Sequence, residues 1–150
     1  LMISFPGRIE ENTQVSGYVS GLDLFQTVMD YLQVDSVQSD GTSLRGLIEG
    51  TDRDHGQYVV TEWDYRGDVE SNYMIVKDGW KMMIPYSTRS TVPNALYNLN
   101  EDPYEMDNLL AGELRDKKYV MKAEELRTNL LEWLTKNGSR HIDGVRNREL

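Results

Sequence analysis

The chain has 150 residues, 39% of them apolar and 27% charged, with a formal net charge of −9. That length suits one compact domain or a piece of a larger protein, and the acidity excludes a phosphate-gripping nucleic-acid surface and attraction to an anionic membrane. The absence of cysteine removes disulfides, thiolate metal sites and a Cys nucleophile, and no apolar run reaches the ~18 residues of a membrane span.

Leu1-Met2-Ile3-Ser4-Phe5 is a short apolar run closed by Pro6-Gly7 and is expected as a buried strand. A chain that opens inside a strand implies sequence upstream of it, where any export signal would lie. Ser20 opens a helix with the box Ser20-x-x-Asp23, and Leu22, Phe25, Met29 and Leu32 define its expected buried face. A polar loop over 33–43 contains Asp40-Gly41 and leads to a short helix over 43–48, ended by Gly50. A boundary is expected around residues 50–57.

From Tyr58 the pattern turns to β-formers. Short strands are expected over 58–63, 73–76, 80–84 and 96–99, with Asp78-Gly79 as a two-residue hairpin turn. Local loops between them imply an antiparallel sheet. Asp102, Pro103 and Glu105 occupy the N-cap, N1 and N3 positions of an expected new helix. The strongest helical pattern runs over 117–136. Val120, Ala123, Arg127, Leu130 and Leu134 share its face, Leu126, Leu131 and Trp133 widen it, and Arg127 sits at the margin with its stem covered. Asn137-Gly138 ends that helix, and the polar tail from Ser139 is expected to fray. The fold class expected of this chain is α+β: a four-stranded antiparallel sheet on a long C-terminal helix (57–136), preceded by a strand–helix element (1–50) of a larger α/β domain and followed by the tail 137–150.

Candidate chemistry is sparse. Asp52-Arg53-Asp54-His55 has the residue types of a metal site, but it reads as a solvated loop beside Gly56, since metal sites need several convergent, supported ligands. His141, in the polar tail, offers less, and two histidines make a triad hard to assemble. Glu101, Asp102, Glu105 and Asp107 would attract a hard cation, yet helix capping accounts for two of them and the EF-hand spacing is absent. Trp63, Tyr65 and Arg66 are the candidate substrate-binding residues: aromatic and Arg side chains after a strand stack on sugars and pair with anions. The competing reading buries Trp63 in the core and leaves Arg66 on the surface. Tyr86 and Arg89 form a similar, weaker pair. Seven methionines spread along the chain read as core filling.

Several segments, in order, resemble the type I sulfatases of the alkaline-phosphatase-like superfamily. Ile3-Ser4-Phe5-Pro6-Gly7-Arg8-Ile9 resembles their Pro-Gly-Arg element, and Val19-Ser20 through Asp23-Leu24, Thr27 and Asp30 resembles the "VS-x-x-DL-x-x-T-x-x-D" helix. Asp40-Gly41-Thr42-Ser43-Leu44 resembles "DG-x-SL", Met74-Ile75 through Trp80-Lys81 "MI-x-x-x-x-WK", and Leu96-Tyr97-Asn98-Leu99 through Asp102-Pro103-Tyr104-Glu105 and Asn108-Leu109 "LYDL-x-x-DP-x-E-x-x-NL". Gln26 replaces a usual Pro and Asn98 a usual Asp.

The resemblance implies hydrolysis of sulfate esters by a formylglycine made from Cys or Ser, with a calcium ion on the sulfate. It also implies a sulfated small molecule or glycan as partner and a periplasmic or secreted location. A related phosphonate or phosphodiester hydrolase and a non-catalytic glycan-binding or assembly module are the alternatives. The family's formylglycine motif and metal ligands lie upstream of its Pro-Gly-Arg element, so no catalytic or metal residue is assigned here and the fragment alone is expected to be inactive. Ser4-Phe5-Pro6-Gly7-Arg8 formally fits S-x-P-x-R, but Ile9-Glu10-Glu11 follows where the motif continues as an "LLTGR"-like helix, so Ser4 belongs to the later element. An unpaired apolar strand at 1–5 would favour dimerisation of the fragment.

Overall fold

The computed structural model describes residues 1–35, 37–52, 55–64, 71–87, 89–112 and 116–150. It divides into two compact units, Leu1–Val59 and Val60–Leu150. No helix among the described residues is long and apolar enough to cross a membrane.

The first unit is built on α1 (Asp23–Leu32) and α2 (Arg45–Ile48). Asp23 reaches back to the Ser20 N–H (2.7 Å), half of the expected box, while the Ser20 hydroxyl accepts from Leu22 N–H (3.3 Å), so the helix begins three residues later than Ser20. The buried face differs from the expected one. Asp23, Thr27 and Tyr31 are covered, whereas Leu22, Phe25 and Leu32 are exposed. A polar stripe is buried because it holds a loop. Asp23 accepts from the Thr42 N–H (2.9 Å), Thr27 Oγ1 from the Leu44 N–H (2.9 Å), and Asp30 from the Ser43 hydroxyl (2.7 Å) and the Arg45 guanidinium (3.2 Å). These contacts bury Leu44. The expected strand over 1–5 is absent: no strand is assigned there, and Phe5 O accepts from both Arg8 and Ile9 N–H in a turn. Phe5 packs edge-on against Tyr31 instead (5.9 Å).

The second unit carries the sheet. Strands β1 (Val59–Trp63), β2 (Asn72–Lys77), β3 (Trp80–Pro85) and β4 (Ala95–Asn98) lie in sequence order; β2, β3 and β4 pair antiparallel. The register Lys77↔Trp80 leaves Asp78 and Gly79 as the two-residue turn, at φ 51° and 74°. Positive φ at both central residues gives the turn whose twist matches the strands. Tyr73, Ile75, Met82, Ile84 and Leu96 are fully buried on one face, as strand alternation requires.

Helix α3 (Lys117–Lys136) buries Ala123, Leu126, Leu130 and Leu134, and Asp116 caps it by accepting from Lys118 N–H (2.9 Å). Lys77 of β2 donates to Asn129 of α3 (3.0 Å), and Trp80 lies 6.4 Å from Tyr119. Arg127 is covered further than its stem: its guanidinium is part-buried, paired with Glu124 and with the Arg148 carbonyl. The helix ends with Ser139 N–H on Leu134 O (2.9 Å).

Two expectations fail beyond this frame. No helix starts at Asp102. Its carboxylate instead accepts from Met106 N–H (3.0 Å) and Asp107 N–H (2.9 Å), Glu105 takes φ 57°, and the Glu105 carboxylate binds Lys81 Nζ (2.6 Å). The cation that satisfies this acidic segment is therefore a lysine of β3. Nor does the tail fray. Helix α4 (Ile142–Arg146) buries Val145 completely, and Arg148 donates to the carbonyls of Val92 (2.6 Å) and Ser90 (3.1 Å) and to Asn94 Oδ1 (3.2 Å).

Candidate substrate-facing site

The chemistry-bearing side chains of the second unit converge where β1 leaves the sheet. Glu62 and Trp63 are consecutive in β1, so they project from opposite faces. Glu62 turns toward the helical side, where Tyr73 donates its hydroxyl to Oε1 (2.8 Å) and lies 3.1 Å from the Ser139 hydroxyl. Burial pushes the Tyr73 phenol well above its ordinary value, with Glu62 adding to the effect and Ser139 partly opposing it. Asp64 accepts from the Ser71 hydroxyl (3.3 Å) and faces Arg140 (3.6 Å). His141 stacks on Tyr86, with ring centroids 3.8 Å apart and 25° between planes, and its Nε2 lies 3.9 Å from Glu62. Burial raises the Tyr86 phenol as well.

Sequence reasoning assigned the least promise to His141, yet it lies at the centre of this group. A helix carrying a buried valine docks the segment it belongs to, and no periodicity signals so short a helix in advance.

Of the sequence candidates, Trp63 is 61% exposed at the end of β1 in this chain. Tyr65 and Arg66 lie outside the described residues. The weaker pair separates in character, Tyr86 being buried and Arg89 exposed.

A second polar group lies in the first unit. His55, expected in a solvated loop, has a side chain only 6% exposed, and its Nε2 is 3.5 Å from Asp23 Oδ2. Around them is a hollow of about 310 Å³ that also touches Tyr18, Thr42, Asp52 and Tyr58. Asp23 already accepts two backbone N–H groups there, so its first task is to hold that loop arrangement. Arg53 and Asp54 of the same cluster lie outside the described residues. Ser4 is exposed ahead of the Phe5 turn.

Residues 1–136 match the family described as "N-sulphoglucosamine sulphohydrolase, C-terminal". The chain belongs to this family. Arylsulfatase K of Gallus gallus is 32% identical over 117 residues, a match that covers 73% of this chain and 22% of that protein. A protein solved in complex with its substrate D-glucosamine-2-N,6-O-disulfate superposes with a TM-score of 0.64 at 23% identity, over 84% of this chain and 25% of that one. The phosphonate monoester hydrolase of Agrobacterium radiobacter superposes at 0.58 and 22% identity, over 76% and 24%. The likenesses in structure show a shared fold, and the family match makes the chain a sulfatase C-terminal region with an α+β arrangement. It spans about a fifth to a quarter of the length of the relatives it matches.

Proposed function

We propose that the protein carrying this chain hydrolyses sulfate from a sulfated sugar, and that the exit of β1 (Trp63, Tyr65 and Arg66) meets that sugar. The family match over residues 1–136 carries the reaction class. The exposed Trp63 supports the placement, because an uncovered indole at a strand end, beside a segment with an Arg and a Tyr, suits a sugar ring and its anionic substituent.

Calcium and formylglycine belong to the same proposal, and the residues of this chain do not fit either group. Ser4 stands exposed directly before the Phe5 turn. Among the described residues, the three-ligand grouping consists of Glu62, Asp64 and His141, which contains an imidazole, whereas the family resemblance implies Asp and Asn or Gln side chains for the ion on the sulfate. The remainder of the protein would supply both groups, so no catalytic step is derived from this chain. Export to the periplasm or outside the cell is part of the reading.

The test uses the full-length protein with glucosamine carrying N- and 6-O-sulfate and with an aryl sulfate. Sulfate release is expected from at least one of them. Trp63→Ala is expected to raise KM roughly tenfold, equivalent to ~1.4 kcal/mol, with kcat little changed, as for lost uniform binding. Absence of sulfate release from every such substrate would overturn the reaction class. An unchanged KM in the variant would overturn the placement. Turnover by the 150-residue chain alone, lost on Ser4→Ala, would overturn the assignment of catalysis to the remainder.

A further inference from the structure

We infer that Glu62, Asp64 and His141 form a binding site for one divalent transition-metal ion, separate from any ion on the sulfate. One donor atom from each lies within 4.8 Å of the other two. The three come from two distant stretches of sequence, the end of β1 and the start of α4, so the fold and not local sequence brings them together.

Each donor is held from behind. Tyr73 donates to Glu62, Ser71 donates to Asp64, and the Tyr86 ring lies flat on the imidazole of His141. Outer contacts of this kind orient metal ligands. Arg140 Nε sits 3.2 Å from His141 Nε2. A guanidinium only donates, so Nε2 presents its lone pair, which is the form in which imidazole ligates. The same guanidinium faces Asp64 at 3.6 Å. The group therefore already gathers around a cation. Arg140 is 77% exposed and free to withdraw.

A second observation also points inward. Tyr86 is 93% buried (7% exposed), and its hydroxyl lies beside Ser71 and Asp64 without a well-aligned hydrogen bond to either. A water on a bound ion would give that hydroxyl a partner.

The donor set selects the ion. One imidazole and two carboxylates suit zinc or manganese, whereas calcium takes oxygen ligands alone. Bonds of ~2.1 Å to a tetrahedral ion place ligand atoms ~3.4 Å apart. The group must therefore contract by about an ångström, within reach of the half-exposed carboxylates of Glu62 and Asp64. The bound ion would tie β1 to α4 directly before the segment proposed to meet the sugar. The ion would bind whether or not a sugar meets that segment.

The experiment is titration of the metal-stripped chain with Zn²⁺, Mn²⁺ and Ca²⁺ by calorimetry, with thermal melting alongside. One equivalent of Zn²⁺ or Mn²⁺ is expected to bind and raise the melting temperature, with Ca²⁺ weaker. His141→Ala and Glu62→Gln are each expected to weaken binding by roughly tenfold or more. Arg140→Ala is expected to retain or tighten it, and His55→Ala to leave it unchanged. Because His141 is packed on Tyr86, Asp64→Asn serves as a further ligand variant that leaves this stack untouched. No saturable binding at millimolar metal, or binding that survives Glu62→Gln and Asp64→Asn and vanishes with His55→Ala, would overturn the site.

Discussion

Asp102 has the sequence neighbours of a helix cap, Pro103 and Glu105, yet its carboxylate closes a loop by accepting from two backbone N–H groups. Those bonds, from Asp107 first and Met106 second, hold its carboxyl below the ordinary carboxylate value. A depressed folded value means that the ionised form supports the loop at pH above the unfolded value of ~3.9 and that this support is lost as pH falls through the lower folded value. An NMR titration from pH 6 to 2 should place the Asp102 midpoint below 3.9, with the Met106 and Asp107 amides losing protection over the same interval. A midpoint at or above 3.9 would contradict the geometry. Capping was legible as the residue type's talent for binding backbone N–H groups; which N–H groups it meets depends on Lys81, which binds Glu105 from β3.

The motifs that carry the family likeness behave in the same way. Lys81 of the "WK" pair meets Glu105 of the "DP-x-E" segment. Asp23, Thr27 and Asp30 of one motif hold Thr42, Ser43 and Leu44 of the next. Asn108 accepts from Leu96 N–H and donates to Asn94 O, extending the edge of β4. These residues identify the family because they tie its loops together, so they name the fold without locating a reaction.

At the scale of elements, periodicity read α3 and the hairpin well and misread α1. In α3 the apolar stripe and the buried stripe coincide, because the helix lies on a sheet face made of apolar side chains. In α1 the stripe of Leu22, Phe25 and Leu32 is exposed, and the buried positions 23, 27 and 31 mix one aromatic with two polar side chains. A polar side chain that satisfies buried backbone groups is worth covering, and a hydrophobicity pattern is blind to that gain.

Helix α4 was illegible for a related reason: its docking depends on the absence of a side chain at Gly144. A Cβ there would run into the backbone carbonyl of Tyr86. Alanine would gain up to about 1 kcal/mol of helix propensity, but a rigid backbone oxygen cannot yield, and overpacking costs about 1–3 kcal/mol. So close a contact with backbone puts the cost toward the upper end of that range, so Gly144→Ala is expected to lower stability in a urea melt by up to ~2 kcal/mol net. Gly21→Ala, where an added Cβ meets nothing within 4 Å, is the near-neutral control. Equal stability of the two variants would mean that α4 does not seat on Tyr86 as described.

Across the whole molecule, the buried apolar side chains are distributed unevenly. Among the described residues, the first unit contributes Tyr31 and Leu44 to the buried apolar set, while Tyr73, Ile75, Met82, Ile84, Leu96, Leu126, Leu130, Leu134 and Val145, among others, belong to the second. The first unit also leaves Leu1, Met2, Phe25, Val28 and Leu32 exposed. Hydrogen bonds hold its loops, but each contributes only about 0.5–1.5 kcal/mol net, against a backbone ordering cost of about 1–2 kcal/mol per residue. Apolar burial has to supply the difference, and two covered side chains supply little of it. Residues 57–150, made separately, should therefore show a cooperative thermal transition by circular dichroism, since β1 and the entire sheet–helix core remain intact. Residues 1–56 should show none. A cooperative transition in the shorter piece, or its absence in the longer, would mean that the stability of this chain is not lodged in the sheet and α3.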